Sequence, residues 1–192
     1  MRWDRVWLRG WRPYALLAAL CLALYLPGIA AIPPLDRDEA RFAQASRQML
    51  EAGDFLRIRF QDEARNKKPA GIYWLQAVSV ALFSSPESTA IWPYRLPSMV
   101  GALGAVLLTF ALGGALFARD SEGPPARQAA LLAAMLLGSA TVVVAEAHIA
   151  KTDAALLAAI VAAQGALGLI YVRARAGRPS VPAIAALFWI AT

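Results

Sequence analysis

The sequence predicts an all-α integral membrane protein: a multi-span helical bundle whose first loop is external and carries juxtamembrane helices. Three observations lead there. Of its 192 residues, 59% are hydrophobic and only 17% charged, against about 45–50% and about 25% in soluble domains. Several apolar runs have the length that crosses a bilayer, about 17–25 residues. Between the first two lies a long polar stretch with helical periodicity and membrane-edge aromatics.

The first span is expected at about 14–32, behind Arg2, Arg5, Arg9 and Arg12. A cleaved leader has the same order of features but a shorter core, about 7–15 residues, so this run reads as a retained helix. Further spans are expected at 96–117, 129–147 and 153–172, and an incomplete one at 181–192. The run 71–83 is too short to cross, and Trp74 gives it an interface-seeking character, so surface helices are placed at about 38–52 and 71–84 within an external loop 33–95. Arg2, Arg5, Arg9, Arg12, Arg119, Arg127, Arg173, Arg175 and Arg178 then share the cytoplasmic side, and the short outer loop holds only Lys151. That distribution obeys the positive-inside rule and puts the N-terminus in the cytoplasm. The last 12 residues cannot span a bilayer, so the chain is expected to be the N-terminal part of a longer membrane protein that is inactive by itself.

The net charge of +6 is scattered around apolar runs with no aromatic-basic strip, which argues against nucleic acid. Cys21 is the one cysteine and falls inside an apolar run, leaving no disulfide framework or cysteine metal site.

Three polar clusters fall on the outer side. Asp36 and Glu39 suit a capping box, and Gly53 a helix stop. Phe42, Ala43, Ala45, Met49 and Leu50 form one face, opposite Arg41, Gln44, Arg47, Gln48 and Glu51. Asp38 and Glu39 are expected on the apolar side. Acids in a first turn complement the helix dipole, but carboxylates heading a packed face also need a partner and can serve as a general base. Arg57, Arg59, Arg65, Lys67 and Lys68 then lie beside Asp62 and Glu63; they suit a lipid phosphate, or form a solvated charge run. Glu146, His148, Lys151 and Asp153 stand at the outer ends of two spans. A lone histidine there is also read as a hydrogen-bonded structural residue, and Thr152-Asp153 as an ordinary helix start. Convergence of the clusters at one rim is the functional signal.

RDEARFAQASRQMLEAGDF, KKPAGIYWLQA, YRLPSMVGAL and AKTDAALLAA occur in this order, across most of residues 36–163. As a set they resemble the N-terminal part of polyprenyl-phosphate-sugar-dependent glycosyltransferases of the glycosyltransferase C superfamily. The bacterial relatives of protein O-mannosyltransferases and of the lipid A aminoarabinose transferase are the nearest in pattern. The resemblance implies a multi-pass inner-membrane hexosyl or pentosyl transferase, with a donor on polyprenyl phosphate and a lipid A-like lipid or a protein as acceptor. Transfer takes place on the outer face, as in lipopolysaccharide modification. It implies Asp38 as the catalytic acid with Glu39 beside it, Lys68 on the phosphate and Asp153 as the second-loop acid. Lys67 and Arg65 are expected to assist at the phosphate, and His148 and Lys151 to orient. Relatives carry Glu-Lys-Pro where this chain has Lys67-Lys68-Pro69. That glutamate is a metal ligand in some of them, so a divalent metal stays open here and Lys67 could supply its charge. The alternative class is a transporter or lipid-handling scaffold without catalysis. Transporters place polar groups in broken helices near the midplane, whereas the charges here gather at a rim.

Overall fold

The computed structural model describes residues 8, 10–65, 68–117, 124–179 and 181–191. Eight helices and one small hairpin follow each other along the described chain: α1 (Arg12–Tyr25), α2 (Arg37–Ala52), β1 (Arg59–Phe60), β2 (Glu63–Ala64), α3 (Gly71–Phe83), α4 (Trp92–Phe117), α5 (Pro124–Ser139), α6 (Thr141–Ala147), α7 (Asp153–Arg175) and α8 (Pro182–Ala191). Among the described residues α4 and α7 are each long and apolar enough to cross a membrane, and α5 with α6 make a third such unit, bent by 59°.

The bend has a local cause. Gly138 weakens the helix where Ser139 Oγ turns back to donate to Met135 O at 2.8 Å, and Ala140 is extended; both devices open the backbone ladder. The first apolar run also departs from one continuous helix over 14–32. α1 stops at Tyr25, because Pro27 cannot donate to a continuing ladder and Gly28 turns the chain at φ +85.

α4 is the hub. It packs on α1, α3, α5, α6 and α7, and the main core gathers Leu17, Cys21, Tyr25, Ala102, Val106 and Phe110. Its contact with α7 runs over small residues. A Cβ on Gly101 would stand 2.6 Å from Ala155 Cα, so only glycine lets these backbones approach so closely. Apolar positions such as Leu132, Leu136, Ile160 and Leu167 remain exposed.

The segment between α1 and α4 is folded into a cap. α2 and α3 share a second cluster of Phe42, Ala45, Met49, Ile58, Ile72, Tyr73 and Ala77. A polar thread runs beside it: Ser46 Oγ donates to Gln76 Oε1 at 2.7 Å, and Gln76 Nε2 to Ala150 O at 3.3 Å. The basic stretch forms an antiparallel hairpin, with Arg59 opposite Ala64 and Phe60 opposite Glu63. Gln61 turns it with φ 56, and the Gln48 amide pins the turn from both sides, accepting from Gln61 N at 2.8 Å and donating to Gln61 O at 3.3 Å.

One ion pair ties cap to bundle. Arg95, in the first turn of α4, and Glu39 are both fully buried, with Nε 2.7 Å from Oε1. Arg95 uses all its N–H groups: Nη1 donates to Ile29 O and Ile32 O, and Nη2 to Pro33 O and Glu39 Oε2. Glu39 also accepts from Leu35 N and Ala150 N. Removing one member strands a buried charge, at a cost of about 3–5 kcal/mol. Arg95→Met is therefore expected to lower thermal stability in detergent sharply, and Glu39→Leu/Arg95→Met to recover much of the loss. A double variant as unstable as the two single losses added together would refute the pairing.

Candidate functional site

The first turn of α2 carries three acids with three different fates. Asp36 is the N-cap, its Oδ1 accepting from Asp38 N at 2.9 Å, and its other oxygen forms an ion pair with Lys151. Glu39 turns inward to Arg95. Asp38 does not join the apolar face: it is about half exposed and meets Arg41 Nη1 at 3.4 Å. The buried stripe of α2 is Glu39, Phe42, Ala45, Ser46 and Met49. Asp38 stands one residue, about 100°, off its leading edge.

A cavity of about 280 Å³ opens in front of it, lined by Asp38, Arg41, Phe60, Glu63, Ala64, Arg65 and Lys68. Three of the expected site residues, Asp38, Arg65 and Lys68, thus meet on one wall. Lys67 lies outside the described residues. Arg41 and Phe60 are additions from the structure. The sequence places Arg41 on the face of α2 opposite its apolar one, and Phe60 owes its place to a hairpin that period-two patterning over two-residue strands cannot reveal. Arg65 is held between aromatic faces, 5.1 Å from the Phe42 centroid and 5.7 Å from that of Phe60. Neither Arg65 nor Lys68 has a carboxylate partner among the described residues, leaving their charge available to an anion.

The remaining predicted residues form a neighbouring rim. His148 and Glu39 line a second, mainly apolar cavity of about 370 Å³ with Leu24, Pro27, Ile32 and Arg95 among its walls. His148 sets Nδ1 2.7 Å from Val144 O and Nε2 2.9 Å from Pro27 O, two carbonyl acceptors of which a neutral ring donates to one, and it bridges α6 and the turn after α1. Asp153 is exposed at the start of α7 and is absent from the Asp38 cavity wall. With Glu146, Lys151 and Asp36 it makes one electrostatic cluster. Glu146 Oε2 and Thr152 Oγ1 are buried without a partner among the described residues.

Arg95 is the residue that sequence reasoning placed in a loop. A signal existed: a lone arginine heading a long apolar run needs a partner at membrane depth. Among the described residues, no group of three or more histidine, cysteine, aspartate or glutamate side chains could hold a metal ion.

An all-helical membrane protein with an acid and unpaired cations at its rim defines the class. No protein-family model matches the chain. Curated relatives do: an undecaprenyl phosphate-alpha-4-amino-4-deoxy-L-arabinose arabinosyl transferase of Pseudomonas savastanoi is 34% identical over 105 residues, covering 53% of this chain and 18% of the relative. A second such transferase, of Pseudomonas fluorescens, is 29% identical over 138 residues, covering 72% of this chain and 23% of the relative. The chain therefore spans about a fifth of the length of these relatives. Two solved structures of ArnT from Cupriavidus metallidurans share the fold. The form bound to undecaprenyl phosphate matches with TM-score 0.72 and 21% identity over 95% of this chain and 31% of that one. The apo form matches with TM-score 0.64 and 23% identity over 80% and 26%. The chain is similar in sequence to part of each of these transferases and in fold to part of each ArnT structure.

The Asp36–Lys151 pair gives a pH signature. The Lys151 ammonium, then the Asp38 N–H, hold the Asp36 carboxyl below its ordinary value of 3.8, and Asp36 raises Lys151 above 10.5. A lowered acid stabilises the fold above its unfolded value and loses that contribution as pH falls through the folded one. Hydrogen-exchange protection in the first turn of α2, corrected for the intrinsic exchange rate at each pH, should therefore fall as pH drops below 3.8 in the native protein. In Lys151→Met that acid dependence should shrink; an unchanged profile would remove the pair from the stability of the cap.

Proposed function

We propose that this chain supplies the donor-phosphate and acid side of a membrane glycosyltransferase. It would move a sugar from a polyprenyl-phosphate donor to a lipid or protein acceptor at the outer face of an inner membrane. The carrying observation is the shared cavity wall of Asp38, Arg41, Arg65 and Lys68, beside helices able to span a bilayer. Such a reaction needs a group to take the acceptor's proton and positive charge for the departing phosphate. Asp38 is assigned as base, close enough to Arg41 to be oriented by it; Arg65, Lys68 and Lys67 are assigned to the phosphate. Asp153, Lys151 and His148 stand on the adjoining rim, where an acceptor would approach. Glu39 acts from behind by fixing the helix that presents Asp38. The acceptor, the sugar's ring size and the outward orientation belong to this reading, and the likeness to transferases named for undecaprenyl phosphate-linked aminoarabinose supports it.

The test is transfer of labelled sugar from a polyprenyl-phosphate donor by the full-length protein in membranes. Loss of a positioned base costs about 10²–10⁴-fold, so Asp38→Asn should reduce turnover by that much. Lys68→Ala should raise the donor KM far more than the acceptor KM. Wild-type turnover in Asp38→Asn would end the base assignment.

A further inference from the structure

We infer that Tyr73 is a positioning residue for the anion site, holding the Arg65 guanidinium so that its free edge is presented to the phosphate. The inference rests on reading the Asp38 cavity as the donor-phosphate site, and adds to it a residue that does not line that cavity.

Tyr73 lies in the first turn of α3 and is fully buried. Its ring stacks on Phe42 with centroids 5.3 Å apart, a contact phenylalanine would make equally well. The hydroxyl is what phenylalanine would lack, and Arg65 Nε donates to it at 2.6 Å. A buried hydroxyl persists where it has a partner, and this is its described one. Using Nε as the anchor leaves Nη1 and Nη2, the parallel fork that matches a phosphate's oxygens. Neither of them has a hydrogen-bond acceptor among the described residues. The rings of Phe42 and Phe60 lie beside the group, 5.1 and 5.7 Å from its central carbon, and the Tyr73 hydroxyl anchors its Nε edge. A guanidinium already held in its binding pose loses less freedom when the anion arrives. The hairpin wall is fixed by other means, through Gln48 and through Arg65 N donating to Ile58 O at 2.8 Å, so losing the hydroxyl should release the side chain without dismantling the wall.

The experiment measures binding of farnesyl phosphate to the full-length protein in nanodiscs, by calorimetry, for wild type, Tyr73→Phe, Arg65→Ala, Lys68→Ala and their pairs. Tyr73→Phe should melt like wild type and bind about tenfold more weakly, the scale of one hydrogen bond to a charged group. Tyr73→Phe/Arg65→Ala should bind no worse than Arg65→Ala alone, whereas Tyr73→Phe and Lys68→Ala should multiply. A merely structural role would weaken both backgrounds alike. If Arg65→Ala weakens binding but Tyr73→Phe does not, the positioning role is overturned while the phosphate site stands. If neither Arg65→Ala nor Lys68→Ala weakens binding, the site assignment fails and takes this role with it.

Discussion

The buried pairing of Glu39 with Arg95 is the constraint on which the arrangement of this protein depends. A guanidinium and a carboxylate removed from water are costly unless every donor and acceptor is met, and here they are met by parts of the chain far apart in sequence. Arg95 gathers the turn after α1 and the loop before α2, and Glu39 receives the backbone of Ala150 from between α6 and α7. The segments that carry the acids and cations are thus tied to one end of α4. The pair is poor evidence of net stability, since an apolar replacement of both members could match it. Its consequence is registration of the cap upon the bundle.

That registration sorts the acids of one helical turn. With Glu39 committed inward and Asp36 committed to the helix cap and Lys151, Asp38 is left facing solvent beside cations. The role proposed for it follows from being freed, not from being buried. Reading the apolar face of α2 from the sequence led to the opposite placement, because the acid next to the stripe and the acid within it differ by a single residue. The stripe is polar at its head: Glu39 and Ser46 are both buried, and each finds a partner on another element. Hydrophobic periodicity cannot register a buried glutamate whose arginine lies 56 residues away.

Much else was legible. Helical character, the long apolar elements, the cap of α2 at Asp36 and its stop at Gly53, which takes φ 63, follow from residue chemistry that acts within a few positions. So does the short length of α3. What escaped was set by distant contacts or by very small elements. The early end of α1 is signalled by Pro27-Gly28, yet both residues sit in a run apolar enough to look continuous. The two-residue strands around Gln61 have no pattern long enough to read; they depend on the Gln48 side chain from α2. Of the predicted site, Asp38, Arg65 and Lys68 share a wall, while Asp153, Lys151 and His148 stand on the adjoining rim, linked to it by the Asp36–Lys151 pair.

The central claim is that the cap and the α6–α7 loop share one side of the bilayer, the outer one. It is tested most directly by cysteine labelling in intact cells with a membrane-impermeant maleimide. Arg37→Cys and Asp153→Cys, both at exposed positions, would be introduced separately after replacing the buried Cys21 with alanine. Both should react from outside without permeabilisation. Labelling of position 37 from outside, with position 153 reached only after the cells are opened, would contradict the shared rim and the site built upon it.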